Sequence, residues 1–224
     1  MKRTILCFVL AAFFALPALA SAEVHGVYIA PKFLLGIQDS GQLSTDNTGD
    51  AFKQYSQAVF GGALAVGYNF APKFNVPVRT EIEFAVRSNS SDSKDGADLI
   101  GAWEAKQTTN LSTLFFNAYF DIDTGTPFTP YIGGGLGMAF NYSEWKAEYI
   151  GLASASKNRH DTTFAWNLGA GLAYAFTENI SADLGYRFIS TGYREGREEI
   201  AGMRFKVGSS PYIHEFYLGA RFTF

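Results

Sequence analysis

Ten charged residues sit where they could do chemistry. Arg79, Glu81, Glu83 and Arg87 recur at even spacing in one short segment. Lys32, Asp121, Asp183, Arg187, Glu215 and Arg221 each interrupt an otherwise apolar or small-residue stretch. Two carboxylates two residues apart are the raw material of a general acid and base, or of a cation-selective constriction. In an extended strand that spacing puts both on one face, because side chains alternate with a period of two. Five acids and five bases on such faces nearly cancel, so an ion-pair network accounts for them better than a catalytic pair. Unpaired burial would cost several kcal/mol per charge.

Other chemistries lack their residues. The one cysteine, Cys7, lies in the N-terminal apolar segment, so disulfides and thiol catalysis are excluded from the rest of the chain. The three histidines, His25, His160 and His214, show neither metal-ligand spacing nor a serine–histidine–acid pattern. The neighbours His160 and Asp161 read as solvated polarity. Glycines fall at strand period and precede no helix, which excludes a phosphate-binding loop. No cofactor is expected. Lys2 and Arg3 followed by an apolar run to Leu19 and by Ala20-Ser21-Ala22 predict a signal peptide over residues 1–22 and a mature domain over 23–224. Subtracting those two from the 18 basic residues leaves 16 against 21 acidic, a formal charge of −5, which argues against nucleic-acid binding.

The elements that carry the ten charges are strands. Phe164, Trp166, Leu168, Ala170, Leu172, Tyr174 and Phe176 share one face, opposite Ala165, Asn167, Gly169, Gly171, Ala173 and Ala175. The same alternation runs through Val27–Gln38, Phe60–Phe70, Val78–Arg87, Leu114–Ile122, Ile132–Tyr142, Ile180–Ile189 and Glu215–Phe224. Four of these end at Phe70, Ile122, Phe176 and Phe224, about 50 residues apart, as in a hairpin repeat. Phe (21) outnumbers Tyr (12) and Trp (3) together, yet mean hydropathy is zero. That balance suits a wall in which only every second residue meets lipid. Polar stretches Asp39–Gln57, Ser88–Gln107, Ser143–Asp161 and Thr191–Pro211 alternate with short ones at Ala71–Pro77, Asp123–Pro130 and Thr177–Asn179. The pattern predicts an all-β fold: an eight-stranded antiparallel transmembrane up-and-down barrel with four long extracellular loops and three short periplasmic turns. In it Tyr68, Phe70, Phe120, Tyr174, Phe176, Phe222 and Phe224 mark one interface, and Phe60, Phe164, Trp166 and Phe216 the other.

The motifs Val78-Arg-Thr-Glu-Ile-Glu-Phe84, Asn117-Ala-Tyr-Phe-Asp121, Pro130-Tyr-Ile-Gly-Gly-Gly-Leu-Gly137 and Leu184-Gly-Tyr-Arg-Phe188, with the ending Gly219 to Phe224, span the mature chain. Together they resemble the opacity-type, OmpA-like eight-stranded barrels of bacterial outer membranes. Tyr217, Gly219, Phe222 and Phe224 resemble the C-terminal assembly signal of such barrels, which implies a partner in the barrel-assembly machinery. The resemblance implies a monomer in the bacterial outer membrane, with no shared enzyme chemistry. Its variable loops would contact lipopolysaccharide and, in some relatives, host molecules. Trp145, Tyr149, Arg194 and Arg197 are the loop residues best suited to contact, being exposed aromatics and arginines. Function is expected in surface interaction, over a lumen filled by paired charges. A narrow pore for small solutes, a lipid-modifying barrel enzyme and a soluble lipocalin-like barrel are the alternatives.

Overall fold

In the computed structural model the described residues are 26–39, 44–45, 56–97, 102–149, 153–192, 194–200, 203–209 and 211–224. The expected signal peptide lies outside them. The elements are β1 (Val27–Asp39), β2 (Ser44–Thr45), β3 (Ser56–Asn69), α1 (Ala71–Phe74), β4 (Val78–Arg87), β5 (Ser90–Ala97), β6 (Ala102–Asp121), β7 (Phe128–Tyr149), β8 (Ala153–Ala175), β9 (Ile180–Ser190), β10 (Arg194–Ile200), β11 (Met203–Ser209) and β12 (Tyr212–Thr223).

Eight of these strands close on themselves. The order β4-β3-β1-β12-β9-β8-β7-β6 is antiparallel throughout, and a β4–β6 ladder from Val78↔Phe120 to Val86↔Ser112 joins its ends. First and last strands pair directly: the Gly26 amide donates to the Phe224 carbonyl (3.0 Å), and the Phe224 amide to the Val27 carbonyl (2.9 Å). Closure leaves the wall without a free edge, as a strand structure in hydrocarbon requires.

The faces are inverted relative to a soluble protein. Phe33, Ile82, Phe116, Leu136, Leu168, Leu184 and Leu218 are exposed, and Leu168 and Phe176 reach 64%. Their chain neighbours turn inward: Glu81 and Glu83 flank Ile82, Asp183 and Gly185 flank Leu184, and Lys32, Leu34, Phe115 and Asn117 flank Phe33 and Phe116, all buried. Such a surface has no aqueous partner, and a soluble lipocalin-like barrel would show the reverse. No helix among the described residues is long and apolar enough to cross a membrane; the crossing is made by strands.

The three short connections share one barrel end. In the first, Pro72 stands in the first turn of α1, and Asn75 caps it in a left-handed conformation (φ 54°), its amide donating to Ala71. The second turns at Gly125 (φ 67°), whose amide donates to Asp123 Oδ1 at 2.9 Å. In the third, Thr177 Oγ1 accepts from the amides of Asn179 and Ile180.

The opposite end departs from the sequence expectation. Much of the polar stretches read as loops is strand. β6, β7 and β8 run for 20, 22 and 23 residues. The β7–β8 ladder continues to Tyr149↔Ala153, and β5 pairs with the upper half of β6 from Ser90↔Thr109 to Ala97↔Ala102. β10 and β11 form a hairpin that β2 extends to three strands. The reason is physical. A ladder is held by backbone hydrogen bonds and continues past the lipid boundary, whereas apolar alternation stops there.

Candidate functional site

The lumen is built by the inward residues. Eight strands leave an interior only wide enough for side chains. Through its middle runs a chain of alternating charge. Lys32 Nζ lies 2.5 Å from Glu81 and 2.7 Å from Glu83. Arg187 bridges Glu83 (2.6 Å) and Glu215 (2.6 Å), and Arg87 closes on Glu215 at 2.7 Å. These six are buried, with Glu83 and Glu215 at 0% exposure. Three acids thus face three bases, so the assembly is neutral. Neutral partners complete it. Tyr119 donates to Glu81 (2.8 Å), Arg87 donates to Thr113 (3.2 Å), and Asn167 donates to Asn117 (2.9 Å).

The other four of the ten charges form two separate pairs. Arg79 lies 2.6 Å from Asp121, and its guanidinium covers the rings of Tyr119 and Tyr131. Arg221 donates to Ser181 at 2.9 Å and stands 3.8 Å from Asp183, a loose pair. Arg79 Nη2 and Asp183 Oδ1 have no partner and line a cavity of about 10 Å³ together with Tyr28, Lys32 and Glu81. That volume holds about one water.

The inward glycines explain how so much fits. Each faces a large side chain in ladder register: Gly67 faces Tyr28, Gly133 faces Tyr119, Gly171 faces Tyr131 and Gly185 faces Tyr217. A Cβ on any of the four would overlap the opposing ring. Glycine thus makes room for the tyrosine lying across it. Tyr131 and Tyr217 then meet at their hydroxyls, 3.0 Å apart.

One part of the lumen is absent from the sequence reading. Above the charges, Leu111, Phe115, Ala139, Ala165, Ile189 and Ile213 pack into a fully buried apolar cluster. It fills the end nearest the long connections. Its signal was the inward parity of Phe115 and Ile189, visible in the alternation but overlooked beside the charges.

The proposed surface residues are divided between two elements. Trp145 and Tyr149 belong to the β7–β8 ribbon, where they pair with Lys157 and Ala153. Arg194 and Arg197 belong to β10, paired with Ser209 and Lys206. Their side chains lie outside the described residues. His160 and Asp161 have separate partners: His160 packs against Tyr142 with tilted rings (centroids 4.8 Å), while Asp161 pairs with Arg159 at 2.7 Å. No proton relay joins them. Of the expected assembly signal, Tyr217 and Gly219 are buried inward, Phe222 is exposed, and Phe224 closes the wall through its backbone.

Residues 6–224 match the outer membrane protein beta-barrel domain family. The chain is 31% identical to the outer membrane protein PagN of Salmonella typhimurium, across 92% of this chain and 93% of that one. It is 23% identical to a candidate adhesin of Rickettsia bellii over 76% of its length and 77% of the relative's. The crystal structure of Neisserial surface protein A superposes with a TM-score of 0.55 at 19% identity, covering 89% of this chain and 97% of that one, and shares the fold.

Proposed function

The chain belongs to the outer membrane protein beta-barrel family, and from that membership we propose that it is an adhesin-type surface protein whose projecting ribbons engage ligands on other cells. Its place is the bacterial outer membrane, with the long ribbons outward and the short turns toward the periplasm. The ribbons carry the proposal. A tilted strand crosses a bilayer with roughly 9–11 residues. β7 has 22 and β8 has 23. About a dozen residues of each remain beyond the lipid, on the order of 40 Å of paired ribbon at ~3.3 Å per residue. Spanning alone gives no reason for that length. The likeness to a Rickettsia candidate adhesin supports the same reading.

The lumen supports a non-enzymatic, non-conducting barrel. Its charges are matched, its glycine notches are occupied by tyrosines, and an apolar cluster stands at the outer end. Those features also disfavour the pore and the lipid-modifying enzyme. The test replaces residues 145–157 with Asn-Gly, a two-residue turn suited to join the facing Glu144 and Asn158. A non-adherent bacterium displaying the full chain should attach to cultured epithelial cells above empty vector. The trimmed barrel should fold, shown by heat-modifiable gel migration, yet attach at vector level. Equal attachment by the trimmed barrel would refute the role of this ribbon.

A further inference from the structure

The small cavity beside Arg79 lies in the half of the lumen nearer the short turns, and two charged side chains each turn an unpaired atom toward it. Arg79 donates through Nε to Asp121 at 2.6 Å, and its Nη2 has no partner in the protein. Asp183 faces Arg221 with Oδ2, and its Oδ1 has no partner in the protein. Both residues are more than nine-tenths buried, at 3% and 4% exposure. A buried donor or acceptor left unpaired is costly, and folded proteins satisfy nearly all such groups, by ordered water where no side chain reaches. The two atoms share one cavity of about 10 Å³, the room that one water needs.

The charges around the cavity select its guest. Lys32 and Arg79 bring two positive charges to the lining, and Glu81 and Asp183 bring two negative ones. The lining is therefore neutral. A chloride would meet two carboxylates there, and a sodium ion would meet an ammonium and a guanidinium. The tyrosine hydroxyls at the cavity are engaged elsewhere. Tyr28 and Tyr119 donate to Glu81 at 3.3 Å and 2.8 Å, and Tyr131 and Tyr217 bond each other at 3.0 Å. Lys32 gives one hydrogen to Glu81 and one to Glu83, and its ammonium carries a third. Two donors and two acceptors remain. That set matches a single neutral water, which offers two hydrogens and accepts two.

We propose that this cavity is a binding site for one structural water, which accepts from Arg79 Nη2 and Lys32 Nζ and donates to Asp183 Oδ1 and the Glu81 carboxylate. The water joins the two separate pairs, Arg79–Asp121 and Arg221–Asp183, to the central six charges. All ten then form one neutral network. It runs from the periplasmic mouth, where Asp121 and Arg221 are the least buried of the ten side chains, up to the apolar cluster. The site concerns the lumen alone and not the adhesin reading, so it stands or falls separately.

The test is a crystal structure of the refolded barrel at a resolution that shows ordered water, from crystals soaked in sodium chloride or in sodium bromide. Density for one oxygen should fill the cavity within hydrogen-bond reach of Arg79, Lys32, Glu81 and Asp183. Bromide should give no anomalous peak there. The second arm is Ala30→Val, which adds methyl groups to the cavity wall from a residue outside the network. This barrel should keep heat-modifiable migration and lose the density. Its folding equilibrium in urea should fall at least tenfold, because displacing the water leaves Arg79 and Asp183 unpaired. Filling an empty cavity would instead raise that equilibrium or leave it unchanged. If Ala30→Val does not fold, the wild-type density decides. An empty wild-type cavity, an anomalous bromide peak inside it, or a folded Ala30→Val barrel as stable as wild type would overturn the proposal.

Discussion

Removing Glu215 should unfasten the centre of the lumen. Its carboxylate accepts from Arg87 Nε at 2.7 Å, Arg87 Nη2 at 3.2 Å and Arg187 Nε at 2.8 Å, and it is fully buried. In Glu215→Ala, Arg187 keeps Glu83, 2.6 Å from its other nitrogen. Arg87 keeps the Thr113 hydroxyl and becomes a buried cation without a carboxylate. Breaking a buried pair on one side costs on the order of 3–5 kcal/mol, less where water enters the space. At about 1.4 kcal/mol per decade, the folding equilibrium falls by roughly two to four decades. Removing Arg87 as well should recover part of the loss, because the unmatched charge goes with it. Glu215→Ala/Arg87→Met should therefore be more stable than the sum of its single variants, by about 0.5–3 kcal/mol of coupling. The assay is urea unfolding of barrels refolded in detergent, followed by heat-modifiable migration and tryptophan fluorescence. Glu215→Ala within about 1 kcal/mol of wild type, with no coupling to Arg87, would refute the reasoning and mean that Arg87 is solvated in the folded barrel.

Leu168→Arg should cost roughly 2–4 kcal/mol by the same assay, since it puts a cation on the mid-membrane lipid face, whereas Ser156→Arg on the ribbon should cost little. Gly185→Ala should lower stability by about 1–3 kcal/mol, because its Cβ enters the Tyr217 ring; adding Tyr217→Ala should relieve part of the overlap. Deleting Phe224 removes both backbone bonds that tie the last residue to the first strand; cells should then hold the chain unfolded in the periplasm, and normal heat-modifiable barrel in the outer-membrane fraction would argue against an assembly role.

Strand count, closure and face assignment were legible because lipid imposes one rule on every spanning residue. Leu168 faces out and Gly169 faces in for the same reason that Leu184 and Gly185 do. The identity of the ten inward charges followed from that rule. Their partners did not. Arg87 and Glu215 are 128 residues apart in sequence, and only the register of the closed wall brings them together. Arg79 could not be assigned to Asp121 over Glu81 without that register. The apolar cluster at Phe115 and Ile189 was hidden differently: parity placed both inward, but sequence gives no height along the axis, so a seal at one end could not be told from scattered core residues. The ribbons were missed because their sequences, such as Ser143, Glu144 and Lys146 in β7 and Ser156, Asn158 and Arg159 in β8, are polar at successive positions of both parities, and such a strand shows no apolar alternation.

On the proposed function, activity resides on the outside of this barrel and not in its lumen. Single-channel recording of the refolded wild-type protein in planar bilayers tests it most directly. On the proposed reading, six interlinked charges, tyrosines lying in glycine notches and an outer apolar cluster close the lumen to a continuous water column. The recording should show a flat baseline without stable openings. Steady, high-conductance channels from the wild-type barrel would contradict it and place transport through the lumen first.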